Sequence, residues 1–326
     1  MPLSFIIACA IVTLMSGMWM DCCVPQQKKT NKEINNMKKT ISIILLLCMA
    51  LTFTACGNEQ ITMQEICDAG QTETILENHQ SISVRATVDG EFFNETYLTK
   101  EYLYDYLPDE EADWAEFVTD DANYVYFNGE YVRFLSITPD GLNNDFASYY
   151  EERYPSSVLG TETIRETIES VSKKDGQITV KTYCDQELLE DMAEDGITSA
   201  KFEYTLDAKT HEILSVIGDY TFDDGESYHV VTDATYGAEA PEMVQTFLAY
   251  ANQTENLRNI TIVTNPDTEK EISQSIQVPK GLIIGFTYDD AFENGFEPYA
   301  DAACTELYDP YADTDSDITI YIKFGE

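Results

Sequence analysis

Apolar and polar residues alternate along most of this chain, and the alternation has a period of two. Ile82, Val84, Ala86 and Val88 interleave with Ser81, Ser83, Arg85 and Thr87, the pattern of a strand buried on one face. Ile178, Val180, Thr182 and Cys184 repeat it, and Ile318, Ile320 and Ile322 alternate with Thr319, Tyr321 and Lys323. Residues 201–207, 211–219 and 227–236 read as a three-strand meander, joined at Asp207-Ala208-Lys209-Thr210 and at Asp223-Asp224-Gly225. Residues 97–107, carrying Tyr97, Tyr102, Tyr104 and Tyr106, predict one more strand. Asp89-Gly90 is a turn signal. Asn128-Gly129, between residues 123–127 and 131–137, is a hairpin signal because both central positions accept positive φ.

Helical spacing appears only in short pieces. Ile61, Met63, Ile66, Ile75 and Leu76 predict a helix over residues 62–78, interrupted by Gly70. Residues 145–154 place Phe146, Tyr149, Tyr150 and Tyr154 on one face of another. Thr163-Ile164-Arg165-Glu166 fits a capping box for a second short helix. Asp185 is a cap for a helix over 186–194, with Leu188, Leu189 and Met192 inward and Gly196 ending it. Pro241 opens the first turn of a helix reaching Ala251. Polar Asn252-Gln253-Thr254-Glu255-Asn256 is the best boundary in a chain without a Pro- or Ser-rich linker.

Two apolar stretches near the start follow neither pattern. Met37, Lys38 and Lys39, the apolar run from Ile41 to Leu51, and Phe53-Thr54-Ala55-Cys56-Gly57 have the layout of an export signal; the run is too short for a comfortable membrane span. Phe53-Thr54-Ala55-Cys56 resembles the lipobox of bacterial lipoprotein signal peptides, with Phe53 where Leu is usual. That resemblance implies cleavage before Cys56 and a diacyl anchor on its thiol, two chains being what stable anchoring needs. An ordinary signal peptide cut nearby, or an uncleaved anchor, is the other reading. Residues 1–36, with the apolar stretch from Leu3 to Met20, precede a complete export signal. They read as an upstream extension of a gene that starts at Met37, or else as an extra membrane segment.

Charge narrows the partners. The chain carries 19 Lys and Arg against 59 Asp and Glu, a net charge of −40; after Cys56 the balance is 14 against 57, or −43. Such a field repels nucleic acid and anionic headgroups. With 21 Tyr and 15 Phe the chain still has the material for a core. Beyond Cys56, only Cys67, Cys184 and Cys304 remain, far apart and odd in number, so a zinc site or a disulfide framework is not indicated; one disulfide among them stays open.

No nucleophile elbow, phosphate-binding loop, dinucleotide fingerprint or His-Glu-x-x-His motif occurs, and no catalytic residue, metal or cofactor is implied. His79, His211 and His229 have no partner at metal spacing. Asp313, Asp315 and Asp317 share a spacing that calcium loops use, but lack the glycine turn and the downstream glutamate; a solvated loop is the plainer reading. The tyrosines are the remaining candidates, since Tyr joins an apolar ring to a polar tip. Tyr102, Tyr104, Tyr124, Tyr126, Tyr149 and Tyr150 are the candidate ligand-binding residues, with ordinary core packing as the competing reading.

A lipobox, an N-terminal helix, antiparallel strands with helical inserts and the turn Tyr204-Thr205-Leu206-Asp207-Ala208-Lys209-Thr210 together resemble LolA-like envelope lipoproteins over residues 60–250. The resemblance implies a curved half-barrel that holds acyl chains or other apolar ligands. Residues 258–324 resemble the Listeria–Bacteroides surface repeat, a small β-grasp-like module. They carry Ile276-Gln277-Val278-Pro279-Lys280-Gly281 and end in the strand 317–324, with Glu297-Pro298-Tyr299 where that family has Gly-Trp-Tyr.

The expectation is therefore an α+β, mostly antiparallel β protein: a signal peptide over 37–55, a half-barrel domain over 56–252 with helical inserts, and a β-grasp-like module over 258–326. Its expected role is that of a non-catalytic lipoprotein on the outer face of the bacterial cytoplasmic membrane. Its expected ligand is a lipid or other apolar molecule. The alternative is a surface module that meets an envelope protein or a glycan and has no ligand cavity.

Overall fold

Three Asx-Gly pairs set the register of much of the sheet structure. Asp89-Gly90, Asn128-Gly129 and Asp175-Gly176 each put two successive residues at positive φ, the backbone of the tight hairpin turn whose twist matches the strands it joins. Asp175-Gly176 is the pair that the pattern analysis above passed over. The computed structural model describes residues 61–108, 113–143, 146–161, 166–184, 186–193, 196–288 and 296–324. Cys56 and the leader before it lie outside the described residues, as do Asp185 and residues 163–165.

The chain folds as two compact units built from interleaved stretches, residues up to 100 with 153–239, and residues 101–152 with 240–326. The expected spans, 56–252 and 258–326, were consecutive. Mostly antiparallel β structure with few helices, and a second, small sheet, is what the alternation predicted and what is observed.

The first unit contains β1 (Ile82–Val88), β2 (Glu91–Leu98), β8 (Glu166–Lys174), β9 (Gln177–Cys184), β10 (Ile197–Asp207), β11 (Ile213–Phe222) and β12 (Ser227–Tyr236). They run in the order β2-β1-β12-β11-β10-β9-β8, antiparallel throughout. Residues 166–174 are thus a strand and not the second short helix that the capping box at Thr163 suggested; the hairpin at Asp175-Gly176 pairs them with β9.

The helix expected over 62–78 is two helices, α1 (Met63–Gly70) and α2 (Thr72–Asn78), because Gln71 takes an extended conformation. Residues 156–161 occupy the break. Thr72 donates its N–H to the Ser156 carbonyl and accepts the Val158 N–H, and Ser157 Oγ donates to the Gly70 carbonyl at 2.8 Å. Gly70 is required by this approach: a Cβ there would lie 1.7 Å from Thr161 Oγ1. Thr62 and Glu65 close a reciprocal capping box on α1. At the other end of the sheet, α4 (Gln186–Met192) lays Leu188, Leu189 and Met192 on a cluster that includes Ala200, Phe222 and Val230.

The second unit contains β3 (Leu103–Leu107), β4 (Trp114–Val118), β5 (Asn123–Phe127), β6 (Glu130–Thr138), β7 (Gly141–Asn143), α3 (Ala147–Arg153), α5 (Glu242–Ala251), β13 (Leu257–Thr264), β14 (Ile272–Pro279), β15 (Ile283–Tyr288), β16 (Phe296–Tyr299) and β17 (Ile318–Phe324). The strand expected over 97–107 is divided, since Leu98 ends β2 and Leu103 begins β3. Here β3 to β6 form an antiparallel meander, β15 adds to β6 in parallel, and β7 pairs with β6. The small sheet has the order β14-β13-β17-β16, with a parallel central pair flanked by antiparallel partners.

The small sheet buries Ile260, Ile262, Ile320 and Ile322 against Leu135, Ile137 and Ile284. Each buried branched side chain contributes roughly 1.5–3 kcal/mol relative to exposure. Arg258, 1% exposed, ties the loop before β17 to this core through the carbonyls of Asp313, Ser316 and Leu282.

Candidate functional site

In the second unit, strand pairing decides which tyrosines can meet. Phe117 lies opposite Tyr104 and Tyr124, while Glu116 lies opposite Asp105 and Val125, so the two sets occupy opposite faces of the sheet. The Tyr face carries Tyr104, Tyr124, Tyr126 and Tyr131, and α5 fills it. Phe247 is fully buried there, stacked on Phe117 with centroids 5.5 Å apart, and within 6.3 Å of Tyr104, 6.2 Å of Tyr124 and 5.5 Å of Tyr131. Tyr102 packs on Phe117 at 5.0 Å and Tyr126 on Tyr131 at 5.1 Å. Arg133 is buried against the Tyr124 ring, donates to the Asp121 and Asn123 carbonyls, and is pulled below its ordinary pKa by that burial. Burial also raises the Tyr124 hydroxyl.

Tyr149 belongs to the opposite face. Its hydroxyl donates to Glu116 Oε1 at 2.9 Å, and the Asn123 amide donates to the same oxygen. Tyr150 is buried within α3. The six tyrosines therefore divide between separate surroundings. Tyr104 and Tyr124 are at most 5% exposed in an aromatic cluster whose centre is Phe247.

A second constellation was not visible in the sequence. On the inward face of the first unit's sheet, β9 presents Ile178, Val180, Thr182 and Cys184, and β10 presents Ala200, Phe202, Tyr204 and Leu206. β11 adds Val216, Tyr220 and Phe222, and β12 adds Val230 and Thr232. Gly218 is bare because the Tyr220 ring lies over it, 2.7 Å from where a Cβ would stand.

Into this apolar surface β8 sends Glu166. The residue is only half-buried as a whole, since β8 is an edge strand, but its carboxyl group is enclosed. Tyr204 Oη donates to Oε1 at 3.0 Å and Thr182 Oγ1 donates to Oε2. Burial pushes the carboxyl up to about 7, against the pull of those two hydrogen bonds. Tyr204 is raised well above its ordinary value by burial and by the adjacent Glu166, and Tyr220 is raised chiefly by burial.

The other candidates resolve as structure. The Ser316 hydroxyl first, then the N–H groups of Ser316 and Asp315 that Asp313 Oδ1 accepts, hold the Asp313 carboxyl down at about 2, and Asp317 accepts the N–H and the side-chain amide of Asn259. The Asp-x-Asp-x-Asp spacing thus shapes the loop that Arg258 grips. His79 Nε2 meets Glu212 at 2.6 Å, His229 Nδ1 meets Asp219 at 2.7 Å, and His211 sits in a turn at positive φ. Among the described residues there is no group of three metal-ligating side chains, and Cys67, Cys184 and Cys304 form no disulfide with one another. No helix among them is long and apolar enough to cross a membrane.

No family model and no curated protein sequence matches the chain. Solved structures similar to it include the lipoprotein LppX of Mycobacterium tuberculosis, with 7% identity and a TM-score of 0.33 over 55% of this chain and 96% of that one. The MucA/MucB complex of Pseudomonas aeruginosa matches with 11% identity and a TM-score of 0.24, over 66% of this chain and 74% of that one. A second structure, MucB with the periplasmic part of MucA, gives 12% and 0.22, over 56% and 57%.

Proposed function

We propose that this chain is a non-catalytic lipoprotein, anchored through acylated Cys56 on the outer face of a bacterial cytoplasmic membrane, whose β body takes up the apolar part of a lipid-like ligand. One observation carries the reading: the inward face of the first unit's sheet is a broad apolar and aromatic surface that holds a single enclosed carboxyl. Binding sites for amphiphiles combine an apolar wall with a few placed polar groups. A core that served packing alone would gain nothing from a buried acid, which costs free energy wherever it lacks a countercharge.

The cover over part of that face is slight. α4 is seven residues long and holds the cluster by Leu188, Leu189 and Met192. An acyl chain that displaced those three side chains would repeat their contacts with Phe202, Phe222 and Val230. The six tyrosines nominated from the sequence would serve this reading only through the second unit, where Tyr102 and Tyr126 are the more accessible of the aromatic cluster.

The test is extraction of the purified protein with organic solvent and mass spectrometry of the extract, with titration of the neutral apolar dye N-phenyl-1-naphthylamine. A co-purified lipid or saturable dye binding is expected; neither appearing sinks the reading. For the anchor, radioactive palmitate should label the protein, and Cys56→Ala should release it from the membrane fraction.

A second reading rests on a different surface. Leu307 and Tyr311 are 63% and 64% exposed in the loop before β17 of a protein that buries most of its large apolar side chains. They are the residues a partner protein or glycan would use. Leu307→Ser with Tyr311→Ser should abolish partner capture if that reading holds, and leave dye binding untouched.

A further inference from the structure

We propose, on the basis of the apolar-ligand reading above, that the ligand is an amphiphile with a protonated amine head and that the Glu166 carboxylate receives that head. The polar atoms that β8 to β12 place on the inward face are few: the Glu166 carboxyl, the hydroxyls of Thr182, Tyr204, Tyr220 and Thr232, and the Cys184 thiol. Thr182 and Tyr204 each have one hydroxyl hydrogen, and both give it to Glu166. What the pair of groups leaves for an incoming ligand is carboxylate lone pairs. A carboxylate has about four acceptor positions, of which these bonds use two. At the Glu166 carboxyl the face offers acceptors where a fatty-acid head would need donors.

Charge points the same way. Burial and two hydrogen bonds account for the state of Glu166, and among the described residues no cationic side chain acts on it. Lys181, one residue from Thr182, points to the opposite face and is spent on Glu203 at 2.9 Å. A buried acid without its countercharge gains when a cation arrives, and an ammonium brings three donors together with the charge. Ile168 and Val171 on β8, Val180 on β9 and Phe202 on β10 continue the apolar surface from the carboxyl, giving the chain of the amphiphile a path. The field of a body carrying 57 acidic against 14 basic residues after Cys56 concentrates cations and disfavours anionic amphiphiles before contact.

The experiment is displacement of N-phenyl-1-naphthylamine from the purified full-length protein at near-neutral pH and 0.15 M salt (about an 8 Å screening length, which mutes the surface field). Dodecylammonium, dodecanol and dodecanoate are compared. Dodecylammonium should displace the dye at about one tenth of the dodecanol concentration, the discrimination expected of one desolvated charge pair. Dodecanoate should be the weakest. Glu166→Gln keeps the shape and the oxygen that accepts from Tyr204, while its amide nitrogen donates to Thr182 where a carboxylate oxygen accepted; it should erase the amine advantage and leave dodecanol unchanged. Tyr204→Phe frees a lone pair on the carboxylate and should keep or increase the advantage. An amine advantage that survives in Glu166→Gln, or one that disappears in Tyr204→Phe, overturns the assignment. Equal displacement by all three chains overturns the head-group assignment alone. Displacement by none removes the apolar-ligand reading and this inference with it.

Discussion

The Glu166 carboxyl should make the protein less stable as pH rises through neutrality, the reverse of the usual behaviour of a paired acid. Its value is about 7 in the folded chain, against 4.5 for the free side chain. The folded state therefore binds this proton more tightly than the unfolded state does. Below about pH 4.5 both states are protonated and the group contributes nothing. Between about 4.5 and 7 the unfolded state ionises first, so stability falls as pH rises; above 7 both are ionised and the full penalty is present. A gap of about 2.5 pKa units at about 1.36 kcal/mol each is a loss of about 3 kcal/mol, a large part of the stability of an ordinary domain, about 5–15 kcal/mol.

Glu166→Gln removes the titration and retains an oxygen that accepts from Tyr204. Urea unfolding of both proteins at pH 4.5, 6 and 8 is the assay. The two should coincide at pH 4.5, and the variant should be more stable by up to about 3 kcal/mol at pH 8. Comparing the two cancels the contribution of every other titrating group. Parallel curves, with the same difference at all three pH values, would show that the carboxyl is not enclosed and would refute the reasoning.

Three further perturbations test the packing on which the sites depend. Phe247→Ala should cost about 3–5 kcal/mol in thermal or urea unfolding, because the ring is the centre of the aromatic cluster; a cost under about 1 kcal/mol would mean that this face is open. Arg258→Met leaves the Asp313, Ser316 and Leu282 carbonyls without their donor and should cost about 3 kcal/mol or more; Arg258→Lys should recover only part, since one ammonium cannot span the guanidinium fork. Gly70→Ala should destabilise by about 1–3 kcal/mol, and Thr161→Ala should relieve much of that cost in the double variant, the coupling expected of two groups that would overlap.

The β architecture was legible because its signals are local. Alternation fixes which face of a strand is buried, and Asx-Gly pairs fix where strands turn back, so β1, β5, β6, β9 and the meander β10 to β12 fall where the pattern puts them. The division of helix 62–78 was only half legible. Gly70 signalled an interruption, but the cause of the break is residues 156–161, far away in sequence. The interleaving of the two units was not legible at all, because the parallel pairing of β15 with β6 joins residues about 150 apart and leaves no mark on either segment. The tyrosines were ambiguous for a physical reason. β propensity, aromatic packing and ligand binding all favour Tyr, so its presence does not separate them. What separates them is whether another side chain already fills the face, and Phe247 lies in a helix more than a hundred residues further along the chain.

Glu166 illustrates a finer limit. Counting back from the Asp175-Gly176 turn, Lys173 pairs with Ile178 and Val171 with Val180, so an unbroken ladder would next set Glu169 opposite Thr182 and Thr167 opposite Cys184. Glu169 would then enter the apolar face, and Glu166 would point outward. The ladder slips by one residue between Ile168 and Ser170, and Ile168 takes the place opposite Thr182. A one-residue bulge exchanges the faces of everything beyond it. The sheet therefore places an isoleucine over its apolar interior where regular pairing would place a glutamate, and it delivers the acid two residues earlier, opposite Cys184 at the edge. There the acid meets two hydroxyl donors, Tyr204 and Thr182. Deleting Glu169 removes the extra residue and leaves a regular ladder in which Ile168 still lies opposite Thr182 and Glu166 opposite Cys184. The pH-dependent loss of stability should therefore persist in the deletion variant, unlike in Glu166→Gln, and the amine preference with it. A deletion variant that loses the pH dependence would show that this register does not set the orientation of the carboxyl.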